Sequence, residues 1–463
     1  MNRSPRPNIA TVLVDTAAAL GPVKPMNAVN NGPKVARGDQ TCGNLASYKA
    51  LEIPYARTHD AAFCSAYGGE HTVDITAVFP GFSADPDDPS SYDFAHTDWY
   101  MDQLAEAGTR PFFRLGQKIE HWPKKYGIHP PTDFKKWAVV CEHVIRHLNE
   151  GWAGGAHRGI EYWEIWNEPD LCWNPDIPLE GKKTWTGTPE QFHTFFATAA
   201  RHLKKRFPHL KIGGPAVCSP LGMGGWTERF LDAMANDPEG RVPMDFFSWH
   251  TYGTNPSWMG ETARHVRQWL DERGYTATEN HCNEWNYVRG WSSDFVYSIE
   301  SIIGVKGAIY QAAVMAECQN APLDMLMYYD ARPCPFNGIW DFYTYHPLKG
   351  WHALDAFRTL RALGRHIKTE VSGSDAADIH AVAAKCAKNG RRRAALVARF
   401  NEDDSSEGAK SVALRLAAGT FGAHPRVRIL DAGRDLDEIP AKLAADGSLR
   451  LRLEPLSAAL VEW

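Results

Sequence analysis

The chain has 463 residues, a formal net charge of -5 and a pI near 6.4. Acidic and basic residues are spread along it, so it has neither the basic stripe of a nucleic-acid-binding protein nor the polybasic segment of a membrane anchor. Its length fits one large domain and a smaller one, because an α/β barrel can absorb about 250 residues or more.

The N-terminal stretch 9–20 is apolar, but Asp15 interrupts it and no clear cleavage site follows, which argues against a signal peptide. No apolar run in the sequence is long enough to span a bilayer. The nine cysteines are scattered singly without a C-x-x-C pair, which disfavours a complete disulfide framework. We therefore expect a protein of the reducing cytoplasm.

Short apolar runs then alternate with amphipathic helical patterns, which is typical of βα units around a parallel sheet. About eight such units are present, and they predict a closed (β/α)8 barrel (TIM barrel) over residues 22–365. The candidate strands are 25–30, 54–58, 110–115, 160–166, 211–217, 245–252, 277–285 and 324–330.

Two of the intervening helices have clear start signals. Thr188, Pro189 and Gln191 supply an N-cap, a first-turn proline and a capping-box partner, and apolar residues follow at helical spacing. Residues 134–148 carry apolar side chains every three or four positions after a cap at Thr132 or Asp133.

From residue 366 the pattern changes to short alternating strands, which predicts an appended β-sandwich over 366–463, with 9–15 as a further candidate strand of it. The pair Asn389-Gly390 marks a hairpin between its first two strands. The acidic run 402–404 lacks the spacing of a calcium loop, so we interpret it as a surface loop.

Two glutamates stand in polar and aromatic surroundings at predicted strand ends. Glu168 closes the stretch W-E-I-W-N-E-P, and Glu284 lies 116 residues later in H-C-N-E-W-N. The active sites of such barrels lie at the carboxyl ends of the strands, and the commonest mechanisms of glycosidic-bond cleavage require two carboxylates. The alternative for one glutamate of the first stretch is a barrel-core ion pair with Arg57 or Arg114, and we assign that role to Glu164.

Four stretches in this order resemble glycoside hydrolase family 39, a family of retaining clan A barrels. They are W-E-I-W-N-E-P, N-E-W-N, R-T-H at 57–59 and F-S-W-H-T-Y at 247–252. The resemblance covers about residues 27–363, and the trailing β-module also matches the family architecture. It implies that Glu168 is the acid/base and Glu284 the nucleophile of a double displacement.

The same resemblance implies the substrate contacts. Asn167 should hydrogen-bond the sugar 2-hydroxyl, and His59, His250 and Tyr252 match positions that line the glycone pocket. Arg57 either fixes the nucleophile's charge or closes a barrel-core ion pair. Trp285 packs beneath the nucleophile or faces the sugar, and Trp340 lies in the sugar-binding rim.

No paired cysteines and no H-E-x-x-H occur, and glycoside hydrolysis needs neither metal nor cofactor, so we expect neither. The expected partner is a small oligosaccharide or glycoside, and the oligomeric state is left open between a monomer and a homo-oligomer. Asp170, where the family often has asparagine, and the changed segment 336–341 leave the glycone open. β-Xylosides, β-glucosides, galactosides, α-L-arabinosides and α-L-iduronides remain candidates.

The leading interpretation is a retaining exo-glycosidase of the β-xylosidase type. One alternative is an endo-acting clan A glycanase, which would have aromatic subsites on both sides of the carboxylates. Another is a catalytically silent sugar-binding barrel, which would have lost one carboxylate.

Overall fold

The computed structural model of the protein describes residues 10–36, 42–62, 71–422 and 424–463. The first strand, β1 (Ala10–Pro22), lies outside the barrel that follows. In the described part of the chain, eight parallel strands close into a barrel, as the sequence predicts, each overlapping one candidate strand. They are β2 (Ala28–Asn30), β3 (Tyr55–Arg57), β4 (Arg110–Leu115), β5 (Tyr162–Ile165), β6 (Lys211–Val217), β7 (Phe246–Gly253), β8 (Glu279–Tyr287) and β9 (Met325–Tyr328).

The helices lie between and after the barrel strands, and the two predicted start signals are confirmed. Asp133 caps its helix by accepting from the N–H of Lys136 at 3.0 Å, and Thr188 and Gln191 form a complete capping box. The described helices are α1 (Leu45–Ala50), α2 (Ile75–Val78), α3 (Ala95–Ala107), α4 (Phe134–Glu150), α5 (Pro189–Arg206), α6 (Trp226–Ala235), α7 (Pro256–Glu272), α8 (Phe295–Ile303), α9 (Val305–Asn320) and α10 (Lys349–Leu363).

The barrel interior changes from apolar to polar along its axis. Near the amino ends of the strands, a cluster of buried apolar and aromatic side chains fills the space. Two residues further along several strands, the inward side chains are polar. Examples are Arg57, Glu164 and Ser248, which are all fully buried. Because strand side chains alternate in direction, these polar groups point into the barrel just below the carboxyl ends of the strands. The cluster comprises Ala28, Tyr55, Phe112, Tyr162, Phe246, Met325 and Met327.

The remaining strands form one mixed sheet of nine strands with β1 inside it. In order across the sheet the strands are β15-β14-β17-β12-β11-β10-β1-β13-β16. Strand β1 pairs antiparallel with β10 and parallel with β13. Buried residues from both ends of the sheet share one core, so the sheet folds over on itself in the manner of a sandwich. The ranges are β10 (Gly364–Ser372), β11 (Ile379–Cys386), β12 (Arg393–Phe400), β13 (Lys410–Leu416), β14 (Arg426–Leu430), β15 (Asp435–Ile439), β16 (Leu449–Leu453) and β17 (Leu456–Glu462).

The outer face of the sheet packs on the barrel through α9 and α10. Thirteen of the sixteen residues of α9 are buried, because this helix has the barrel on one side and the sheet on the other. The acidic loop 402–404 also belongs to this contact. The buried ammonium group of Lys306 lies 3.2 Å from a carboxylate oxygen of Glu402 and 2.8 Å from one of Asp404. The loop is therefore attached to the barrel and is not simply solvated.

Among the described residues no single helix combines the length and apolarity that crossing a membrane requires; α8 and α9 reach both only as a pair bent by 79°.

Candidate active site

Strand β7 places its inward-facing side chains one after another toward the carboxyl end of the barrel. On β7, Phe246 lies in the apolar cluster, and Ser248, His250 and Tyr252 follow on the same inward face. The alternation of β7 therefore carries its inward side chains from barrel packing to polar contacts, while its pairing with β8 shifts register between Trp249 and His250.

Glu168 reaches the site by a sharp turn after β5. The residue has a φ of 48° and Trp166 a φ of 76°, a left-handed conformation that is unfavourable for residues with a Cβ. Hydrogen bonds hold the turn in place. The N–H of Trp166 donates to the carbonyl of Leu115 at 2.7 Å, and that of Glu168 to the carbonyl of Ala216 at 2.8 Å. The strained turn is thus attached to the strands on both sides of β5.

Arg57 is the centre of a buried network beneath the two carboxylates. Its Nε donates to Oε2 of Glu164 at 2.6 Å, its Nη1 to Oε2 of Glu284 at 3.1 Å and its Nη2 to Oδ1 of Asn167 at 2.7 Å. The sequence left two roles open for this arginine, and the side chain performs both. Ser248 donates to the other oxygen of Glu164 at 2.6 Å, so Glu164 is fully engaged as the barrel-core partner.

The second carboxylate, Glu284, lies beside Glu168 with His250 between them. One carboxylate oxygen of each glutamate and a ring nitrogen of His250 all lie within 4.8 Å of one another. Nδ1 of His250 is 2.8 Å from Oε1 of Glu168 and 3.6 Å from Oε2 of Glu284. The hydroxyl of Tyr252 donates to Oε1 of Glu284 at 2.5 Å. Glu284 is thus held by two donors, whereas among the described residues the Glu168 carboxyl has one side-chain hydrogen-bond partner, His250.

Burial shifts the pKa values of Glu168, Glu284 and His250. It raises the pKa of Glu168 to about 7 against the opposing charge of Arg57. The pKa of Glu284 is also raised by burial, while Arg57 and the Tyr252 hydrogen bond oppose the shift. Burial lowers the pKa of His250 to about 4, so the imidazole is neutral at neutral pH. The guanidinium of Arg57 is therefore the cation that faces the two carboxylates.

The buried Nδ2 of Asn167 has no hydrogen-bond partner among the residues that the structure describes. A buried polar atom without a partner is costly, and at a functional site it marks a position for a ligand or an ordered water. The sequence analysis assigns this residue to substrate contact.

His59 lies two residues after β3, in a second polar cluster. Its Nδ1 is 3.2 Å from Asp60, and its ring packs edge-on against Tyr329. Tyr329 donates to Asp60 at 3.0 Å, and Arg332 is paired with both Asp60 and Asp330. The sequence analysis missed these partners, although a Tyr-Asp pair directly after the last barrel strand is a signal that could have identified them.

Trp285 and Trp340 do not reach the site. The ring of Trp285 is buried between Tyr310 and Tyr328, on the helix side of the barrel wall. Trp340 is buried against Tyr48 in a stacked pair, and its Nε1 donates to Ser47 at 2.8 Å. We therefore assign both rings to packing and not to sugar binding.

A different tryptophan, which the sequence analysis did not select, lies near Glu284. Trp291 follows β8, is 62% exposed and contacts Tyr252 edge-on at 5.0 Å between ring centroids. Phe336 stacks against the same ring at 6.1 Å. These rings form an aromatic wall beside Glu284.

The spacing of Glu168, His250 and Glu284 would also suit a metal ion, as would that of His59, Asp60 and His71. In each group a guanidinium already faces a carboxylate, Arg57 at 3.1 Å from Glu284 and Arg332 at 3.5 Å from Asp60. An added cation would be repelled by these charges, so neither arrangement fits a metal well.

The family model described as glycosyl hydrolases family 39 matches residues 67–423 of the chain. A β-xylosidase from Geobacillus stearothermophilus is 31% identical over 177 residues, which are 35% of this chain and 31% of that protein. The α-L-iduronidase of Homo sapiens is 25% identical over 230 residues, 45% of this chain and 32% of that protein. The chain thus aligns with about a third of the length of either relative.

Solved structures match over nearly the whole chain. A glucosidase from Croceicoccus marinus superposes with a TM-score of 0.74 at 22% identity, covering 98% of both chains. A monomeric β-xylosidase from Caulobacter crescentus CB15 superposes with a TM-score of 0.68 at 17% identity, covering 98% of this chain and 99% of that one. At these identities the likeness establishes the fold, a barrel with an attached β-sheet.

Proposed function

We propose, from the premise that the chain belongs to the glycosyl hydrolases of family 39, that it is a retaining glycosidase acting on β-xylosides or related neutral glycosides. Membership in the family makes the protein a glycoside hydrolase. The stereochemistry, the glycone and the position of cleavage are the parts that we propose.

The observation that carries the retaining mechanism is the closeness of the two carboxylates. An oxygen of Glu168 and an oxygen of Glu284 lie within 4.8 Å of each other. Retaining enzymes hold their carboxyl groups about 5 to 5.5 Å apart, whereas inverting enzymes need about 6.5 to 9.5 Å to admit a water molecule between carboxylate and sugar. The geometry favours direct attack by a carboxylate over attack by water.

The surroundings divide the two roles. Glu284 is held by Arg57 and Tyr252, which stabilise its charged form and fix it as the nucleophile. Glu168 has a pKa of about 7 and keeps its proton in much of the population at neutral pH, as a general acid must. His250 contacts its Oε1 and leaves Oε2 for the leaving group.

In the first step a carboxylate oxygen of Glu284 forms a bond to the anomeric carbon. The bond between that carbon and the glycosidic oxygen breaks, and Glu168 gives its proton to this oxygen. The products are a glycosyl ester of Glu284 and the free leaving alcohol. In the second step water attacks the same carbon, Glu168 accepts its proton, and the ester bond breaks to release the sugar and the Glu284 carboxylate. Neutralising Glu284 in the ester lowers the pKa of Glu168, which suits it to act as a base.

Asn167 is prepared for a contact that strengthens in the transition state. Arg57 binds its Oδ1, which fixes the amide so that the unpartnered Nδ2 faces away from the guanidinium. We assign this N–H to the sugar 2-hydroxyl.

The charges around the site favour a neutral glycone over an iduronide. The loop lysines that offer a cation for a carboxylate are Lys124, Lys125, Lys182 and Lys183, and of these Lys125 and Lys182 donate to main-chain carbonyls. Arg332 is paired with the carboxylates of Asp60 and Asp330. A uronic acid would therefore meet a balanced or negative environment and no available cation from Lys125, Lys182 or Arg332.

We further propose exo action, in which one terminal sugar is released. The second candidate is endo action, because exposed rings occur both beside Tyr252, at Trp291, and on the loop after β4, at Trp122 and Tyr126. Digestion of a labelled xylo-oligosaccharide separates the two. Exo action yields xylose from the first time points, whereas endo action yields intermediate lengths.

The proposed roles are tested by assaying wild type, Glu168→Ala and Glu284→Ala against aryl glycosides with azide added. For a β-sugar we expect Glu168→Ala to form the β-glycosyl azide and Glu284→Ala the α-azide, because azide replaces water in the first variant and the nucleophile in the second. Glu161→Gln is the matched control, since that carboxylate lies at the opposite end of β5 and contacts Arg110. NMR identifies the anomer that the wild type forms first. A first-formed anomer of inverted configuration would refute the mechanism.

A further inference from the structure

Segment 288–294, which joins β8 to α8, carries the exposed ring of Trp291. This ring contacts the ring of Tyr252 at 5.0 Å between centroids, and the Tyr252 hydroxyl donates to Oε1 of Glu284 at 2.5 Å. Segments that join a strand to a helix at the surface are held less firmly than the elements they connect. The position of Trp291 beside the site therefore depends on the contacts that hold this segment.

A carboxylate from the β-sheet holds the start of the segment. Glu402, in the loop that follows β12, accepts from the hydroxyl of Tyr287 at 2.8 Å. The same oxygen accepts from Nε of Arg289 at 2.9 Å and from its Nη2 at 2.7 Å. Tyr287 is the last residue of β8 and is completely buried. Glu402 thus binds both the end of β8 and the second residue of the segment.

A second carboxylate of loop 402–404 holds the other end. Asp404 accepts from the hydroxyl of Tyr297, in the first turn of α8, at 2.5 Å. The guanidinium of Arg289 lies 3.7 Å from the centre of the Tyr297 ring and donates to its hydroxyl at 2.9 Å, which joins the two ends to each other. Trp291 therefore lies between two points that are both attached to the sheet.

The charges of this contact are balanced. Two cations, Arg289 and Lys306, face two carboxylates, Glu402 and Asp404. The side chain of Lys306 is buried, whereas the other three are partly exposed. Removing the charge of one carboxylate leaves the buried ammonium group with incomplete pairing, which weakens the contact.

The rings around Trp291 connect the segment to the site. Phe295 stacks on Trp291 at 5.8 Å between centroids and Phe336 at 6.1 Å, and Phe336 is 6.2 Å from Tyr252. A displacement of the segment therefore moves the rings against which Tyr252 packs. Because Tyr252 donates to Glu284, such a displacement also changes how that carboxylate is held.

We propose that Glu402 is a positioning residue for the reaction. From the β-sheet it holds segment 288–294, and with it Trp291, in the place where Trp291 packs on Tyr252 beside Glu284. This inference rests on the proposed glycosidase function. It makes the appended sheet part of the active enzyme and not only a packing partner of the barrel.

The first experiment compares kcat/KM of Glu402→Gln and the wild type on an aryl glycoside that the wild type cleaves, at a temperature at which all variants are folded. We expect a fall of about tenfold, because groups next to the reacting centre are displaced. In a Trp291→Ala background the same substitution should change kcat/KM by less than about twofold, because the residue through which Glu402 acts is already removed. A purely structural role would not depend on Trp291 in this way.

Asp403→Asn is the matched control. The carboxylate of Asp403 is in the same loop, is exposed and accepts from the N–H and hydroxyl of Ser405. We expect this variant to match the wild type in kcat/KM.

The second experiment needs no substrate and measures hydrogen–deuterium exchange of the same proteins. Amides of segment 288–294 should exchange faster in Glu402→Gln than in the wild type, because the segment has lost one of its two attachments. Exchange in Asp403→Asn should equal that of the wild type. Equal exchange in Glu402→Gln and the wild type would refute the positioning role.

The outcomes separate the two proposals. If the wild type cleaves no glycoside, the proposed function fails, and the exchange measurement still decides whether Glu402 holds the segment. If the wild type cleaves a glycoside and Glu402→Gln matches it, the positioning role is refuted while the function stands. An equal loss of kcat/KM with and without Trp291 would show that Glu402 acts by another route and would also refute the role.

Discussion

Arg57 approaches Glu284 with its Nη1 3.1 Å from Oε2, and both side chains are buried. The same guanidinium binds Glu164 and Asn167, so one cation positions Glu284, balances a core carboxylate and orients the amide next to Glu168. A planar group with several donors can make these contacts at once, which an ammonium group cannot.

The first prediction concerns this arginine. We expect Arg57→Lys to lower kcat at least about a hundredfold, because Glu284 and Asn167 lose their common donor. The free energy of unfolding should fall by about 3 to 5 kcal/mol, since Glu164 is left buried with incomplete pairing. Steady-state kinetics and urea unfolding measure the two effects. A variant with nearly normal kcat would mean that the nucleophile is held without the arginine.

The second prediction is a pH profile. Because Glu168 must be protonated for the first step and has a pKa of about 7, kcat/KM should decline as the pH rises above about 7. Glu168→Gln should lack this alkaline limb when measured with a 2,4-dinitrophenyl glycoside, whose leaving group needs no proton. Persistence of the limb in that variant would assign it to another group.

The third prediction concerns stability. The folded-state pKa of Glu168 is raised from its ordinary 4.5 to about 7, so in this pH window the native protein holds a proton that the unfolded chain has released. The free energy of unfolding should therefore fall as the pH rises from about 4.5 to 7. Glu168→Gln should be more stable than the wild type at pH 8 by about 2 to 3 kcal/mol and similar to it near pH 4. Equal stability of the two proteins at both pH values would contradict this.

The fourth prediction concerns Asp170. This buried carboxyl accepts from the N–H of Cys218 at 2.7 Å, and burial together with the charge of Glu168 raises its pKa to about 7. Asp170→Asn keeps the acceptor and removes the charge that opposes ionisation of Glu168. The alkaline limb of kcat/KM should then move down by about half a pH unit.

Cys218→Ala is the matched control for that shift. It removes the thiol contact to Asp170, which is 3.4 Å long, but keeps both carboxyls. In Cys218→Ala, kcat/KM should decline at the same alkaline pH as in the wild type. A limb that moves equally in both variants would indicate a change of local structure and not of charge.

The fifth prediction tests the contact between barrel and sheet. Lys306→Met should lower the free energy of unfolding by about 2 kcal/mol, because Glu402 and Asp404 lose a buried cationic partner. Lys368→Met removes an exposed surface pair with Glu370 and should lower the free energy of unfolding much less. Thermal unfolding of both variants at low and high salt measures this difference. An equal loss of stability in the two variants would contradict the attachment of loop 402–404 to the barrel.

Much of the architecture follows from the sequence alone. All eight barrel strands were predicted, because a parallel strand buried on both faces is a continuous apolar run that differs from the amphipathic helices around it. Two strands of the outer sheet, β10 and β15, were not predicted. The segment Asp435–Ile439 is mostly charged and lacks the two-residue alternation on which the prediction depends.

The sequence by itself also supplied the residues on which the proposed chemistry rests, because the two glutamates, the preceding asparagine and their order along the chain are local features. Only the tertiary structure decided which groups meet. The choice of Arg57 over Arg114 as the partner of Glu164 depends on contacts between distant parts of the chain, because Arg114 pairs with Asp74 instead. The burial of Trp285 behind the barrel wall accompanies a register shift between β7 and β8 close to Glu284. A register shift reverses the direction of a side chain without any local sequence signal, because it is set by contacts between residues that are far apart in the chain.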